Sequence, residues 1–471
     1  MKLTDFLYPA GRGFSRRNLL HGASMGIGAS MLGWLFPARS RAEQGPQPYP
    51  TLGISKPSLA SMPIAWSNDE YHRRWDLIRQ RMKEARLDCL ILPQHLTHAV
   101  TLLEYRTDAD VLYLSGLPAM WLVFPIEGKI TAIVVEWQPL KEGKPVPAII
   151  MTRLFADSSP DIEMRSAAMG APSPTIIDVL REKKMEHARI GVGSLTSPFQ
   201  MGEGSCSYTT YDRVRKAFPQ AQFEDAEDML WRVKMVRSAE EIAVFENATA
   251  VSEAGLLAMF ETARPGVPML DVWLSMYGAM LKCSGSRPEH LSISARGQAL
   301  DSIGTPLPDI LESGQILSQE CMGSVLGYGA EVNHSALIGS EGPADWSAAA
   351  QFAIDLFDTS LDQLAPGKNI KEFVDFYGQR IAARGPTHGA AMVHFEGYGD
   401  LPKWAVMTHY QGNAYQGPGD AVFQPGMVFD LKLNVGVKGT KMTAYFGDPI
   451  VITEKGARRL GRRKMEIINL A

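Results

Sequence analysis

The sequence predicts an α/β (α+β) protein: a small N-terminal α/β domain followed by a larger domain in which one α/β unit occurs twice. Three observations carry this. Ser313-Gly-Gln-Ile-Leu-Ser-Gln-Glu320 and Pro425-Gly-Met-Val-Phe-Asp-Leu-Lys432 each read as a turn feeding a strand, and they end on opposite charges at the same step. Upstream of each lies a Pro-Gly turn between two helical patterns, Ala263-Arg-Pro-Gly-Val-Pro-Met-Leu270 and Leu364-Ala-Pro-Gly-Lys-Asn-Ile-Lys371. Two ordered echoes about 100 residues apart are the mark of a duplicated unit. Ahead of them, short apolar runs bounded by turns alternate with amphipathic stretches, the pattern of a separate α/β domain.

In chain order, residues 1–42 read as a twin-arginine signal peptide. Ser15-Arg-Arg-Asn-Leu-Leu20 is followed by an apolar, Gly/Ala-rich run from His21 to Phe36, and Ser40-Arg-Ala42 offers small residues for cleavage. The run falls short of the roughly 20 residues that span a bilayer comfortably. Cleavage and periplasmic export through the twin-arginine machinery are therefore expected. Residues 43–67 are a linker or arm rich in Pro, Ser and Gly. Residues 68–225 form the small domain and 226–471 the duplicated one.

Within the small domain, Asn68 to about Leu87 predicts a charged amphipathic helix. Asp88-Cys-Leu-Ile-Leu92, Val111-Leu-Tyr-Leu114, Trp121-Leu-Val-Phe124 and Thr131-Ala-Ile-Val-Val135 predict short strands. Pro174–Arg181, capped by Ser173, and Tyr211–Phe218 predict helices. The large domain opens on a capping box, Ser238 with Glu241 three later. Ile242, Phe245, Leu256, Met259 and Phe260 supply its first apolar stripe, and Ala344–Leu364 predicts another helix.

The composition, 45% hydrophobic and 21% charged with a net charge of −4, is that of a soluble globular protein. It offers no reason to expect nucleic acid as a partner. Cys89, Cys206, Cys283 and Cys321 show neither a disulfide framework nor a metal-binding pair. Cys321 follows Glu320, so strand alternation sends the two to opposite faces.

From about Tyr71 onward the chain resembles the creatinase/prolidase/aminopeptidase P family, whose catalytic domain is the two-halved pita-bread fold. Leu230-Trp-Arg-Val-Lys-Met-Val-Arg-Ser-Ala-Glu-Glu-Ile-Ala243 is similar to the segment that opens that domain. Gly327-Tyr-Gly-Ala-Glu331 and Gly426-Met-Val-Phe-Asp-Leu-Lys432 resemble its Gly-Tyr-x-x-Asp and Gly-Met-Val-Phe-x-x-Glu strands. The resemblance implies a site where two divalent ions are held by Asp, Asp, His, Glu and Glu. Those places fall on Glu320, Glu331 (331 − 320 = 11, the family's spacing), His409, Lys432 and Gly447.

An ammonium cannot ligate a hard cation and repels one beside it. The expected cofactor is therefore none, with Lys432 supplying the charge a metal would bring to Glu320 or Glu331. The alternative is one divalent metal (zinc, iron or manganese) on a shifted set of Glu320, Glu331, His409 and Asp448, with His334 near enough in sequence to join. The family's catalytic loop histidine is missing from Ser294–Gly304, where Gly304 falls at its place; His290 lies upstream and would need the loop to shift.

His409 is left as the acid/base, with Glu320, Glu331 and Lys432 around the substrate. His388 and His394 lie on a Gly-rich stretch, and Trp404 and Tyr410 in an aromatic one that can wall a cation. The family's dimer geometry implies a homodimer in which Arg106 reaches a substrate held by the other subunit. No phosphate-cradling loop and no hydrolase serine elbow is present.

The expected function is creatinase-like hydrolysis of a C–N bond in a small cationic substrate. The alternatives are a metal-dependent Xaa-Pro peptidase or a dimethylsulfoniopropionate-lyase-like enzyme, and a non-catalytic protein that binds small molecules or short peptides.

Overall fold

The computed structural model describes residues 53–63, 65–93, 96–97, 106–107, 109–116, 119–136, 161–168, 171–196, 204, 206–295, 309–383, 390–395, 419–437, 440 and 442–471. At 96–97, 106–107, 109, 135–136, 381–382 and 390–395 the backbone alone is described. The expected signal peptide lies outside these residues.

The small domain begins with α1 (Asn68–Ala85), capped by the Ser67 side chain, which accepts from the Glu70 backbone, and closed by Arg86 in the left-handed region. Its strands β1 (Cys89–Pro93), β4 (Trp121–Pro125), β5 (Ile130–Glu136), β6 (Ile162–Ala168), β7 (Arg189–Val192) and β8 (Gln222–Asp225) form a six-stranded mixed sheet in the order β6-β5-β4-β1-β7-β8. A two-stranded ladder, β2 (Leu96–Thr97) with β3 (Arg106–Thr107), stands apart.

Val111–Leu114, expected as a strand, is helical, within α2 (Ala109–Ser115). Four apolar residues are too few to separate a period of 2 from one of 3.6. Tertiary contacts decide it: the same turn places Asp110 2.7 Å from the Lys234 ammonium. α3 (Ser173–Glu182) and α4 (Tyr208–Ala217) follow, the latter starting three residues earlier than expected because Ser207 caps it.

α5 (Glu227–Lys234) leads into the large domain, where α6 (Ala239–Thr262) carries the full capping box at Ser238 and Glu241. The duplication is visible element by element. α6 and α7 (Met269–Ser284) precede β9 (His290–Ser294), β10 (Ile316–Val325) and β11 (Tyr328–His334). α8 (Ala344–Leu361) and α9 (Ile370–Ala382) precede β13 (Ala390–Phe395), β14 (Val428–Gly436) and β15 (Thr443–Thr453). The turn glycines match as well. Gly266 and Gly367, at φ +85° and +80°, follow the two prolines, and Gly314 and Gly426, at +87° and +90°, start the two strands. Each needs a conformation that side chains disfavour.

With β12 (Ala336–Ile338), β16 (Gly456–Arg459) and β17 (Asn469–Leu470) these strands make one nine-stranded sheet, in which β11 pairs with β15 to join the halves. Alternation sorts its two faces. Leu317, Cys321 and Val332 pack into the core that includes α6 and α7, and Leu431, Leu433 and Val435 into the core that includes Trp346 and Phe357 of α8. Cys321 Sγ lies 3.4 Å from Met280 Sδ on α7, while Glu320 faces the other way. The polar site is built on that other face.

The small domain is tied on by a buried ionic cluster. Arg74 lies between the rings of Trp66 and Tyr113, 4.1 and 4.4 Å from their centroids, and binds Glu70. Arg73 reaches Glu241 of α6 at 2.6 Å, and Tyr328 donates to the same carboxylate at 2.5 Å.

Candidate active site

The hairpin β10–β11 places the two glutamates. Its two-residue turn, Leu326-Gly327, has φ of 51° and 80°, the positive pair of a type I′ turn. That turn pairs Val325 with Tyr328 and hence Met322 with Glu331. Glu320 is two residues from Met322 and so shares a face with Glu331. The spacing of 11 is thus hairpin geometry. β14 repeats the device: Asp430, Lys432 and Asn434 share one face, and Lys432 pairs with Gly447 of β15, which also pairs with Asn333 of β11.

Glu320, 6% exposed, receives hydrogen bonds on both oxygens. Tyr445 donates to Oε1 at 2.8 Å, and His290 Nε2 stands 3.0 Å from Oε2. Burial alone would raise its pKa. The His290 hydrogen bond, the Lys432 charge and Tyr445 outweigh that and hold the carboxyl at about 2. Tyr445 is pushed well above the usual phenol value by burial and by the charges of Glu320 and Glu331, so it remains a donor.

Glu331 is held on both oxygens too. Asn333 Nδ2 donates to Oε1 at 2.8 Å, and the Lys432 ammonium lies 2.6 Å from Oε2 and 3.5 Å from Asp430 Oδ2. Asn333 Oδ1, Asn434 Oδ1 and Ser292 Oγ are buried without a hydrogen-bond partner among the described residues. Ser292 pairs with Glu320 across β9–β10, so these groups belong to the polar face.

The donor set does not fit the family's two metal ions. Lys432 brings a cation to Glu331 where a ligand would stand. Gly447 offers no side chain, and its place is filled: a Cβ there would lie 2.3 Å from Asn333 Oδ1. Nor does the shifted one-metal set assemble. Asp448 is fully buried, with one oxygen bound by Arg463 at 2.8 Å and the other by Arg459. Strand alternation turns it away from Gly447. His334 packs between Phe260 and Phe446, with Nε2 2.8 Å from the Glu466 carbonyl. Burial and the Arg463 charge lower its pKa to about 3, so it is a neutral core histidine. Among the described residues no three His, Cys, Asp or Glu are placed to hold a metal.

The remaining expected residues are placed only in part. His409, Trp404 and Tyr410 lie outside the described residues, as do His388 and residues 296–308 of the loop. His394 has its backbone on β13, paired with Asp430, and Arg106 has its backbone on β3. Sequence reasoning missed Tyr445 and Asn333, and it set His290 aside as lying upstream of the loop, whereas His290 reaches Glu320 without any shift of that loop. The signal for Asn333 was Gly447: a residue without a side chain at a ligand position asks what fills the space.

A duplicated α/β sheet with two glutamates on a type I′ hairpin and a lysine on the equivalent strand defines a pita-bread protein with an altered charge set. The comparisons agree. The metallopeptidase family M24 profile matches residues 243–454, and the creatinase/prolidase N-terminal domain profile residues 74–236. The chain belongs to the creatinase/prolidase family, which places it among hydrolase- and peptidase-type enzymes. It is 23% identical over 418 residues to an uncharacterized hydrolase/peptidase, y4tM, of Sinorhizobium fredii, covering 86% of this chain and 98% of that protein. It is 25% identical over 244 residues to the dimethylsulfoniopropionate lyase DddP of Roseovarius nubinhibens, covering 50% of this chain and 54% of that one. The fold is shared with an Xaa-Pro dipeptidase from Bacillus anthracis, at a TM-score of 0.65 and 14% identity over 85% of this chain and 100% of that one.

Proposed function

We propose that this protein is a periplasmic hydrolase that cleaves a C–N bond in a small cationic substrate without the family's dinuclear metal centre. The observation that carries the reading is the Lys432–Glu331 pair at 2.6 Å, with Asn333 filling the space at Gly447. The side chains that would surround metal ions instead satisfy one another.

The polar face still suits a cation. Glu320 is ionised, and the Asn434 carbonyl turns an unmet acceptor to the same face. An amine, amidine or similar N–H-rich group supplies the donors such acceptors lack. His409 is assigned as acid/base: it takes a proton from water as the oxygen bonds to carbon, and returns it to the departing nitrogen. His394, Trp404 and Tyr410 would flank the substrate, and Arg106 would reach it from the other subunit of a homodimer. The protein is exported folded by the twin-arginine route.

One observation favours a second reading. The likeness to DddP makes an elimination from a small cation a competing reaction, which would yield an unsaturated product and no addition of water. The test begins with elemental analysis of the purified mature protein before any metal is added, followed by turnover of a panel of small amines, amidines and sulfonium compounds with and without chelator. Metal-free hydrolytic turnover supports the proposal. Activity lost to a chelator and restored by zinc, manganese or iron overturns it, and an alkene product moves it to the lyase reading. No turnover with tight binding makes it a binding protein.

A further inference from the structure

The duplication supplies an internal comparison for the outer surface. α7 and α9 follow equivalent Pro-Gly turns, and a shift of 101 residues carries Leu270, Leu274 and Gly278 onto Lys371, Asp375 and Gln379. On α9 these places are what solvent asks for: the Lys371 ammonium pairs with Asp375 at 2.5 Å, both side chains about half exposed. On α7 the same places are apolar or bare. Leu270 is 40% exposed, Leu274 49% and Leu281, a turn further on, 39%. With Gly278 they fall at i, i+4, i+8 and i+11, one stripe of the helix.

Gly278 is not required from within. A Cβ there would meet nothing within 4 Å, yet glycine weakens a helix interior. The stripe is extended at both ends: Ile310, bridged to Pro268 ahead of the helix, is 52% exposed, and Leu59, packed beside Gly285 behind it, 54%. Single exposed leucines need no explanation, but a continuous apolar stripe marks an interaction site.

We infer that this face of α7 is an interface with a second copy of the chain, the two α7 helices crossing antiparallel over Gly278. A two-fold contact must be self-complementary, and this stripe is. Leu274 lies four residues before Gly278 and Leu281 three after, so an antiparallel crossing sets Leu274 against Leu281 of the second copy. The same crossing carries Leu270 toward Leu59 of that copy. Gly278 at the crossing point lets the helices approach closely. The exposed charges agree: Asp271 stands in the first turn and Lys282 in the last, so an antiparallel pair brings opposite charges together and a parallel one brings like charges together. This contact is separate from the pairing through Arg106.

The test uses the mature protein and the residues its own twin helix carries. Light scattering of the unmutated protein is expected to give a dimer or a multiple of one, and Leu270→Lys with Leu274→Asp to halve the mass. Gly278→Cys is expected to join two chains by a disulfide on mild oxidation, seen on a non-reducing gel and absent from the unmutated protein. Should the double variant fail to fold, the Gly278→Cys link decides. An unmutated monomer overturns the inference, and one that sediments with lipid vesicles gives the face to a membrane instead. A mass unchanged by the double variant, or a dimer in which Gly278→Cys does not link, shows that the copies meet elsewhere.

Discussion

Lys432 Nζ stands 2.6 Å from Glu331 Oε2, across the seam where the two halves of the duplicated sheet meet. Both side chains are buried, 3% and 4% exposed, so each is the other's main compensation for lost solvent. The pair is the junction of the repeat as well as the core of the site.

Removing one member should therefore be costly. Lys432→Met leaves Glu331 a buried charge bonded, among the described residues, to the Asn333 amide alone, a loss of roughly 3–5 kcal/mol. Adding Glu331→Gln in the same chain should recover most of it, since no charge is then stranded. Urea unfolding of the two single variants and the double variant measures the coupling; additive losses would show that the pair contributes nothing as a pair.

Restoring a metal should take more than one substitution. Lys432→Glu supplies a ligand type but leaves Asn333 in the place of the other, so it should bind no manganese or zinc by calorimetry. Gly447→Ala alone should destabilise by about 1–3 kcal/mol, because its Cβ would be forced to 2.3 Å from Asn333 Oδ1. Lys432→Glu with Gly447→Glu and Asn333→Gly reopens the site and should bind a divalent ion. Tight metal binding by Lys432→Glu alone would refute the packing argument.

Acid should weaken the protein partly through Glu320. Its folded pKa of about 2 lies below the ordinary 4.5, so the stability it contributes is present above 4.5 and lost as the pH falls toward 2. Glu320→Gln should lower stability at neutral pH and flatten the decline across that window. A remainder should persist, since the arginines beside Glu70 overcome its burial and lower its pKa too. Chemical denaturation at several pH values reads both slopes.

Export should depend on the arginine pair. Arg16→Lys with Arg17→Lys should hold the precursor inside the cell, and the mature chain should begin near Glu43. Fractionation and N-terminal sequencing check both, and normal export of the variant would remove the twin-arginine reading.

What the sequence by itself determined is what local chemistry and repetition carry. The four turn glycines, the capping box at Ser238 and Glu241, and the alternation that parts Glu320 from Cys321 are short-range constraints, and each was legible. So was the opposite charge of Glu320 and Lys432, since a charge reversal in a repeat shows without coordinates; that Lys432 falls at a ligand position is what the family resemblance implies. The tertiary structure alone decided which partner each buried group takes. Val111–Leu114 became helix because Asp110 meets Lys234, over 100 residues away. Asp448 went to Arg459 and Arg463 because the step from Gly447 turns it to the opposite face. His290, set aside for lying upstream of the loop, meets Glu320 because β9 pairs with β10 in that register. Hydrogen bonds and ion pairs act over about 3 Å, and which strands lie that close depends on the folding of the whole chain.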